Sequence, residues 1–262
     1  MKTLTRVTSE VGAVSDAGRK RLLSLPGEPL FIANWDRTLM IHYEVEPSEL
    51  RAWVPFELDT FEGRTFVTLV AFTLSNMRPR IGGKVAALFC KPIASHPFLN
   101  VRTYVRHNGE SGIYFLAEWL SNRLSVFLGP KIFGLPYRAG RLGYYHDEPS
   151  GRLQGSVTSL TTEKFFAYDG QMGNAAFHPC APGTLDEWLM ERYTAFTCVS
   201  RPRRFFRVWH PPWEQVAADI EVTNKNLLDD TWPFFRTAEM IGANYSPGAT
   251  DVWMGWPHRV TM

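Results

Sequence analysis

LNVRTYVRHNGESGIYFLAEW, residues 99–119, decides the fold because it reads as two strands joined by a tight turn. Side chains along residues 99–106 alternate between polar and apolar, which is the period of a β-strand. His107-Asn108-Gly109 is a typical hairpin-turn signal, and residues 112–119 provide the returning strand. This stretch therefore predicts an antiparallel hairpin.

The flanking sequence extends the same pattern. Further strands are predicted over residues 38–45, 64–74, 137–146 and 151–168, and helices over residues 122–133 and 185–198, the second capped by Thr184. Residues 76–97 are predicted to form a long loop. We expect a mainly β protein with flanking helices (α+β), with residues 1–28 as an N-terminal arm and residues 29–262 as a single domain.

Composition excludes several classes of partner. A net charge of +2 gives no electrostatic case for nucleic acid, and no apolar run is long enough to span a membrane, so we expect neither partner. Three widely spaced cysteines, without a signal-peptide core, favour a cytoplasmic protein with reduced thiols. The seven histidines show no metal-ligand spacing, and we expect no metal and no cofactor.

The strand at residues 99–106 carries the first candidate site. Asn100, Arg102 and Tyr104 share one face of it. If that face lines a pocket, the guanidinium of Arg102 would hold a substrate carboxylate, Asn100 would orient the substrate, and Tyr104 would add a contact. In the opposite orientation, Arg102 would lie on the solvent face. The sequence leaves both orientations open.

Other candidates also have two interpretations. Arg37, just before a strand, is either a second cation near the pocket or part of a surface ion pair. His42 and Glu44 are either an acid–base pair or structural, and His210 either faces a pocket or packs in a turn. Tyr137 and Arg138 could both reach the end of a barrel strand; the alternative is a packed tyrosine beside an exposed arginine.

Several segments resemble the YqjF-like family of uncharacterised bacterial proteins, a branch of the acetoacetate decarboxylase-like superfamily. They span roughly residues 30–215 in the same order: RTLMIHYEVEPSELRAWVPFELDTFEGRTFVTLVAF, LNVRTYVRHNGESGIYF, FGLPYRAGRL, LMERYTAF and VWHPPW. The resemblance implies a cone-shaped antiparallel β-barrel with flanking helices.

The decarboxylases carry G-R-E-x-x-x-Y-P-K-K, whose first paired lysine forms an imine with the keto acid. The corresponding run here is GPKIFGLPYR, residues 129–138, with Tyr137 and Arg138 in place of the two lysines. A phenol cannot form an imine, so the resemblance implies that Schiff-base decarboxylation is lost. It also aligns Arg37 with an arginine of the decarboxylases, and it leaves no acid in residues 98–105, where their pocket glutamate falls.

These observations lead to three hypotheses. The first is an enzyme that uses lyase, hydratase or isomerase chemistry on a small organic acid without an imine, with Arg37, Arg102 and Arg138 binding the anion and Tyr137 donating a hydrogen bond or a proton. The second is a non-catalytic small-molecule binding protein on the same barrel. The third is an interaction scaffold that uses residues 76–97. The oligomeric state stays open, a homo-oligomer included.

Overall fold

A computed structural model of the chain describes residues 12–199 and 202–260. The expected N-terminal arm is described only from residue 12 onward. The longer strands are β1 (Phe31–Val45), β3 (Thr65–Pro79), β4 (His96–His107), β5 (Glu110–Leu120), β6 (Tyr137–Asp147), β7 (Arg152–Ser159), β8 (Phe165–Met172), β10 (Thr194–Thr197), β11 (Arg204–Trp209), β12 (Glu214–Asn224) and β13 (Glu239–Met254).

Short elements complete the chain. The two-residue strands are β2 (Glu57–Leu58), β9 (His178–Pro179) and β14 (His258–Arg259). The helices are α1 (Ala13–Leu23), α2 (Pro47–Arg51), α3 (Gly83–Cys90), α4 (Arg123–Ile132), α5 (Leu185–Met190) and α6 (Asn226–Thr231), with 3-10 turns at Lys91–Ile93 and Pro233–Arg236. Within the described part of the chain, no helix is long and apolar enough to cross a bilayer.

The strands close into two rings that share one wall. β1, β3, β4, β5 and β13 form the wall, and β6, β7, β8 and β12 complete a nine-strand barrel on one side of it. On the other side β10 and β11 bridge from β5 to β13 and close a smaller ring of seven strands. The expected barrel is confirmed, and among the described residues the pairing is parallel only where β5 meets β6 and β10.

The wall is buried on both faces because alternate residues pack into different rings. In β1, Leu39 and Ile41 belong to the apolar cluster of the nine-strand barrel, whereas Met40 belongs to the cluster of the smaller ring. In β3, Leu69 likewise belongs to the cluster of the nine-strand barrel and Val70 to the cluster of the smaller ring. A strand with apolar residues on both faces reads as a continuous apolar run, which is the pattern of residues 64–74.

The predicted hairpin is present between β4 and β5. Asn108 and Gly109 both have positive φ, of 49° and 79°, as a two-residue turn with the twist of the strands requires. Helix α4 matches the predicted helix at residues 122–133. Asn122 caps it by accepting a hydrogen bond from the Ser125 amide at 3.0 Å, and Pro130 lies within its last turn.

Three predicted elements differ from the structure. The strand predicted over residues 151–168 is divided by a turn into β7 and β8, which pair with each other. The helix predicted over residues 185–198 begins as expected, with Thr184 as its cap, but ends at Met190. Glu191 leaves the helical conformation and accepts a hydrogen bond from the Trp213 amide, after which β10 pairs with β5 and β11. The long loop predicted at residues 76–97 contains α3 and a 3-10 turn, because Ala86, Ala87 and Leu88 are strong helix formers.

Candidate functional site

The pocket lies inside the smaller ring and has a volume of about 170 Å³. Each of the seven strands of that ring contributes to its lining, and α4 and the 3-10 turn at Lys91–Ile93 contribute at one side. Most of the lining is aromatic or aliphatic: Phe31, Trp35, Met40, Phe72, Phe98, Phe115, Phe133, Phe206 and Trp213 are among its members. One buried water needs ~10–15 Å³, so this cavity has room for much more than one water.

Polar atoms without a partner concentrate at this pocket. Of ten buried side-chain nitrogen and oxygen atoms that lack a hydrogen bond among the described residues, seven belong to residues that line it. They come from Thr38, His96, Asn100, Arg102, Glu118 and Arg192. Buried polar groups in proteins are nearly always hydrogen-bonded, so this concentration indicates that these groups serve a ligand or water.

Arg102 is a buried cation that has no anionic partner among the described residues. It is 6% exposed and lines the pocket, so the inward orientation of its strand face is the one observed. Its guanidinium donates to the Leu189 carbonyl at 3.4 Å and approaches the Met40 sulfur at 3.7 Å. In the part of the chain that the structure describes, no carboxylate pairs with it. An isolated buried cation is costly, which favours an anionic ligand here.

A second arginine of the lining is already paired. Arg192 forms a buried ion pair with Asp59 at 2.9 Å and lies over the Trp188 ring at 4.1 Å. Asp59 also accepts a hydrogen bond from Arg106 at 2.9 Å. Asp59 thus pairs with Arg106 and Arg192 and does not compensate the charge of Arg102. Sequence reasoning did not identify Arg192 as a pocket residue.

Glu118 is the acidic residue of the pocket. Asn100 donates to its Oε1 at 3.2 Å, and its Oε2 has no partner among the described residues. Burial raises the pKa of Glu118 to about 8, although the hydrogen bond from Asn100 lowers it, so the carboxyl group is largely protonated at neutral pH. An acid is therefore present in the pocket, contrary to what the inspection of residues 98–105 implied.

A β-bulge explains why Glu118 was missed. Asn100 pairs with Glu118 and Arg102 pairs with Phe115, so Leu116 is an extra residue in β5. The bulge resets the alternation and places Phe115 and Glu118 on the same face, although only two residues, Leu116 and Ala117, lie between them. The signal in the sequence was a single glutamate within the apolar run YFLAEWL.

Tyr137 lines the pocket beside Glu118. The two residues are register partners in the parallel pair of β5 and β6. Burial raises the pKa of Tyr137 well above its usual range, and Glu118 adds to this, so the phenol stays protonated and can donate a hydrogen bond. Gly129 of α4 makes room for its ring, because a Cβ there would lie 2.2 Å from Tyr137 Cε2.

Arg37 and Arg138 lie outside the pocket lining. Arg138 follows Tyr137 on β6 and therefore points to the opposite face, where its guanidinium lies over the Trp119 ring at 5.2 Å; the residue as a whole is exposed. Arg37 is exposed at a bulge of β1, with φ of 51°, and its carbonyl accepts a hydrogen bond from His146 at 2.8 Å. The expected grouping of Arg37, Arg102 and Arg138 around one anion is thus wrong. Of these three arginines, Arg102 alone lines the pocket.

Tyr104 shares the face of Arg102 but is buried behind the pocket. Its hydroxyl lies 2.6 Å from Thr68 Oγ1 and 2.9 Å from the Leu189 carbonyl. Thr68 is hydrogen-bonded to His42 Nδ1 at 2.9 Å, and His42 Nε2 to Asn244 Oδ1 at 3.0 Å. Burial lowers the pKa of His42 to about 3, so this chain of hydrogen bonds holds a neutral imidazole. Glu44 pairs instead with Arg64, so of the two interpretations of His42 and Glu44 the acid–base pair is not the one observed.

Two further histidines line the pocket, and both are held neutral. Burial lowers the pKa of His96 and of His210 to about 4. The His96 ring lies 4.7 Å from the Phe98 ring, and His210 stacks on Tyr193 at the same distance. Among the described residues no group of three or more potential ligands is arranged to hold a metal ion. His178 is exposed.

The fold matches solved structures of acetoacetate decarboxylase-like proteins. An acetoacetate decarboxylase from Legionella pneumophila aligns with a TM-score of 0.60 and 13% identity over 92% of this chain and 94% of that chain. An acetoacetate decarboxylase-like enzyme from Sphingomonas wittichii RW1 aligns with a TM-score of 0.62 and 14% identity over 89% of this chain and 94% of that chain. The enduracididine biosynthesis enzyme MppR, solved in complex with pyruvate, aligns with a TM-score of 0.60 and 13% identity over 90% of this chain and 92% of that chain. At these identities the likeness shows the fold alone.

Sequence comparison identifies the family. The uncharacterized protein YqjF of Bacillus subtilis (strain 168) is 32% identical over 206 residues, which cover 74% of this chain and 78% of YqjF. Residues 32–247 match DUF2071, a family described as an uncharacterized conserved protein. The chain therefore belongs to the DUF2071 family and has the acetoacetate decarboxylase-like fold.

Proposed function

We propose that this protein binds a small carboxylic acid with an apolar body and catalyses proton transfer on it without forming an imine. The observation that carries the proposal is Arg102, a buried guanidinium that faces an apolar pocket and has no carboxylate partner among the described residues. Arginine binds carboxylates through two parallel hydrogen bonds. The aromatic lining would hold the apolar part of the ligand.

Glu118 and Tyr137 support a catalytic role. A pKa of about 8 makes the carboxyl of Glu118 a proton donor near neutral pH and its carboxylate a base once the proton has left. Tyr137 would donate a hydrogen bond to a developing oxyanion. Isomerase, hydratase or lyase chemistry next to the bound carboxylate needs no more than these groups. No lysine is among the described lining residues, which supports the exclusion of an imine.

A non-catalytic binding role is the second candidate, and the pocket's titration properties favour it. Burial holds His96, His210 and Tyr137 in their neutral forms, so Glu118 is the single group of the described lining with a pKa shifted close to neutrality. If Glu118 serves only to hydrogen-bond the ligand, the pocket binds without turnover.

The three cysteines are free thiols, which supports the expected cytoplasmic setting.

The test combines binding and isotope exchange. A panel of aliphatic and aromatic carboxylic acids, each with its neutral amide, is screened by thermal shift, and the acids that stabilise the protein are incubated in D₂O and followed by proton NMR. We expect exchange next to the carboxylate, and a decrease of about 10²–10⁴-fold in Glu118→Gln. Glu44→Gln, in a partly exposed ion pair, is the matched control. Binding without exchange or turnover would leave the second candidate; if no acid binds, both are wrong.

A further inference from the structure

Helices α3 and α4 expose an unusual number of large apolar side chains. None of the eight residues of α3 is buried, and Phe89 and Leu88 are 81% and 66% exposed. Helix α4 adds further exposed apolar side chains on the same side of the pocket. The full set is Ile81, Val85, Leu88, Phe89, Leu124, Phe127 and Ile132. Large apolar side chains exposed together in this number are typical of an interaction site.

Contacts join the two helices into one surface. The side chain of Asn122, the cap of α4, donates to the Pro92 carbonyl at 2.6 Å, and Pro92 lies in the 3-10 turn directly after α3. Ile93 of that turn and Ile132 of α4 both line the pocket, and Ile132 is also 46% exposed. The surface therefore borders one side of the pocket.

The charged residues within the two segments that carry these side chains have one sign. Residues 76–97 and 121–138 contain no aspartate or glutamate. Exposed basic residues accompany the apolar side chains, and Lys131 Nζ lies 3.4 Å above the Phe127 ring. We call the seven apolar residues together with Lys84, Lys91, Arg123 and Lys131 the apolar–basic patch. Lysine and arginine beside inserted leucine and phenylalanine are typical of helices that lie in a membrane interface.

We propose that the apolar–basic patch docks on the surface of an anionic lipid bilayer. Leu88 and Phe89 would enter the boundary between headgroups and acyl chains, and the basic residues would contact anionic headgroups. Docking would place one side of the pocket against the bilayer, where apolar acids partition. This departs from the expectation of no membrane partner, which rested on the absence of a spanning segment; an interfacial helix needs none.

The charge pattern favours a bilayer over a second copy of the chain. In a symmetric dimer the same patch would face itself, and its basic residues would repel each other. Helix α3 also stands outward, since none of its residues is buried, and this suits insertion into lipid. The proposal makes specific the hypothesis that residues 76–97 form an interaction surface, and it does not depend on the proposed function.

Vesicle sedimentation of the full chain tests the proposal. We expect the protein to sediment with phosphatidylcholine vesicles that contain phosphatidylglycerol, to bind pure phosphatidylcholine at least about tenfold more weakly, and to be released by high salt. Leu88→Ser/Phe89→Ser and Lys84→Glu/Lys91→Glu should each weaken binding by about tenfold or more. All four side chains are exposed, so the variants should fold, which circular dichroism verifies.

Matched controls distinguish the patch from general surface effects. Leu160→Ser/Phe165→Ser removes exposed apolar residues elsewhere, and Arg141→Glu/Arg236→Glu reverses exposed charges elsewhere; both should bind as the wild type does. The proposal is overturned if the wild type stays in the supernatant with anionic vesicles, or if the controls lose as much binding as the patch variants. It is also overturned if light scattering shows an oligomer that Leu88→Ser/Phe89→Ser dissociates, because the patch would then be a contact between copies.

Discussion

Glu118 and Tyr137 are register partners across the parallel pair of β5 and β6, and both line the same pocket. On the other side of Glu118, Asn100 donates to its Oε1 at 3.2 Å. Three adjacent strands thus present an amide, a carboxyl and a phenol in one row. The row combines groups that can donate and accept protons and hydrogen bonds.

Glu118→Gln should remove part of the decrease in unfolding free energy that the wild type shows as pH rises. The pKa of Glu118 is raised to about 8 in the folded protein, so between about pH 4.5 and 8 the folded state holds a proton that the unfolded state releases. Stability should therefore fall as pH rises through this window, by up to about 1.4 kcal/mol per unit, and the loss should be complete above the folded pKa.

Urea unfolding of both proteins from pH 5 to 9 measures this effect. Glu191, whose pKa burial raises to about 7, contributes a loss of the same sign in both proteins. The difference between the two profiles therefore isolates Glu118. Parallel profiles for wild type and Glu118→Gln would show that the carboxyl is not held protonated.

Gly129→Ala should destabilise the protein and displace Tyr137. A Cβ at residue 129 would lie 2.2 Å from the tyrosine ring, which must move, and such overpacking typically costs about 1–3 kcal/mol. Gly143→Ala is the control, because a Cβ there meets nothing within 4 Å. Urea unfolding should separate the two variants clearly. Equal stabilities would contradict the packing of Tyr137 on α4.

Asp59→Asn should be strongly destabilising. Asp59 is 3% exposed and is the carboxylate partner of Arg192 at the edge of the pocket, so its loss leaves a buried guanidinium unpaired. Breaking a buried pair typically costs about 3–5 kcal/mol. Glu44→Gln removes the more exposed pair with Arg64 and should cost about 0–1 kcal/mol. Similar losses of unfolding free energy in the two variants would disprove the importance of the buried pair.

Borohydride reduction in the presence of keto acids should leave the protein unmodified. Imine formation needs a lysine amine beside the substrate, and the described lining of the pocket contains none. Intact-mass spectrometry detects any adduct, with an acetoacetate decarboxylase as the positive control. A stable adduct on Lys131 or another lysine would overturn the exclusion of Schiff-base chemistry.

The sequence predicted the barrel well because its strands carry strong local signals. The turn at Asn108-Gly109 and the alternation of residues 99–106 are local properties, and the resemblance to YqjF-like proteins supplied the topology. The inward orientation of Arg102 was one of two alternatives, since alternation defines a face but not the side on which the pocket lies. The structure selects that alternative.

Other features of the site depend on irregularities that no pattern reveals. The bulge at Leu116 brings Glu118 into the pocket, and an inserted residue of this kind is invisible in a sequence that is apolar on both faces. Arg138 was grouped with Tyr137 although neighbours on a strand point to opposite faces. The helix predicted to reach Cys198 ends early because tertiary contacts of Glu191 and pairing of β10 outweigh local helix propensity.

Calorimetric titration of a carboxylic acid into wild type and Arg102→Ala tests the central claim most directly. The ligand is an acid selected by the thermal-shift panel, and its neutral amide is titrated in parallel. Arg138→Ala, which removes an exposed arginine from the other face of β6, is the matched control. We predict that Arg102→Ala weakens acid binding by about 10²-fold or more, with little change for the amide or for Arg138→Ala. Equal affinity of the acid for wild type and Arg102→Ala would contradict the account.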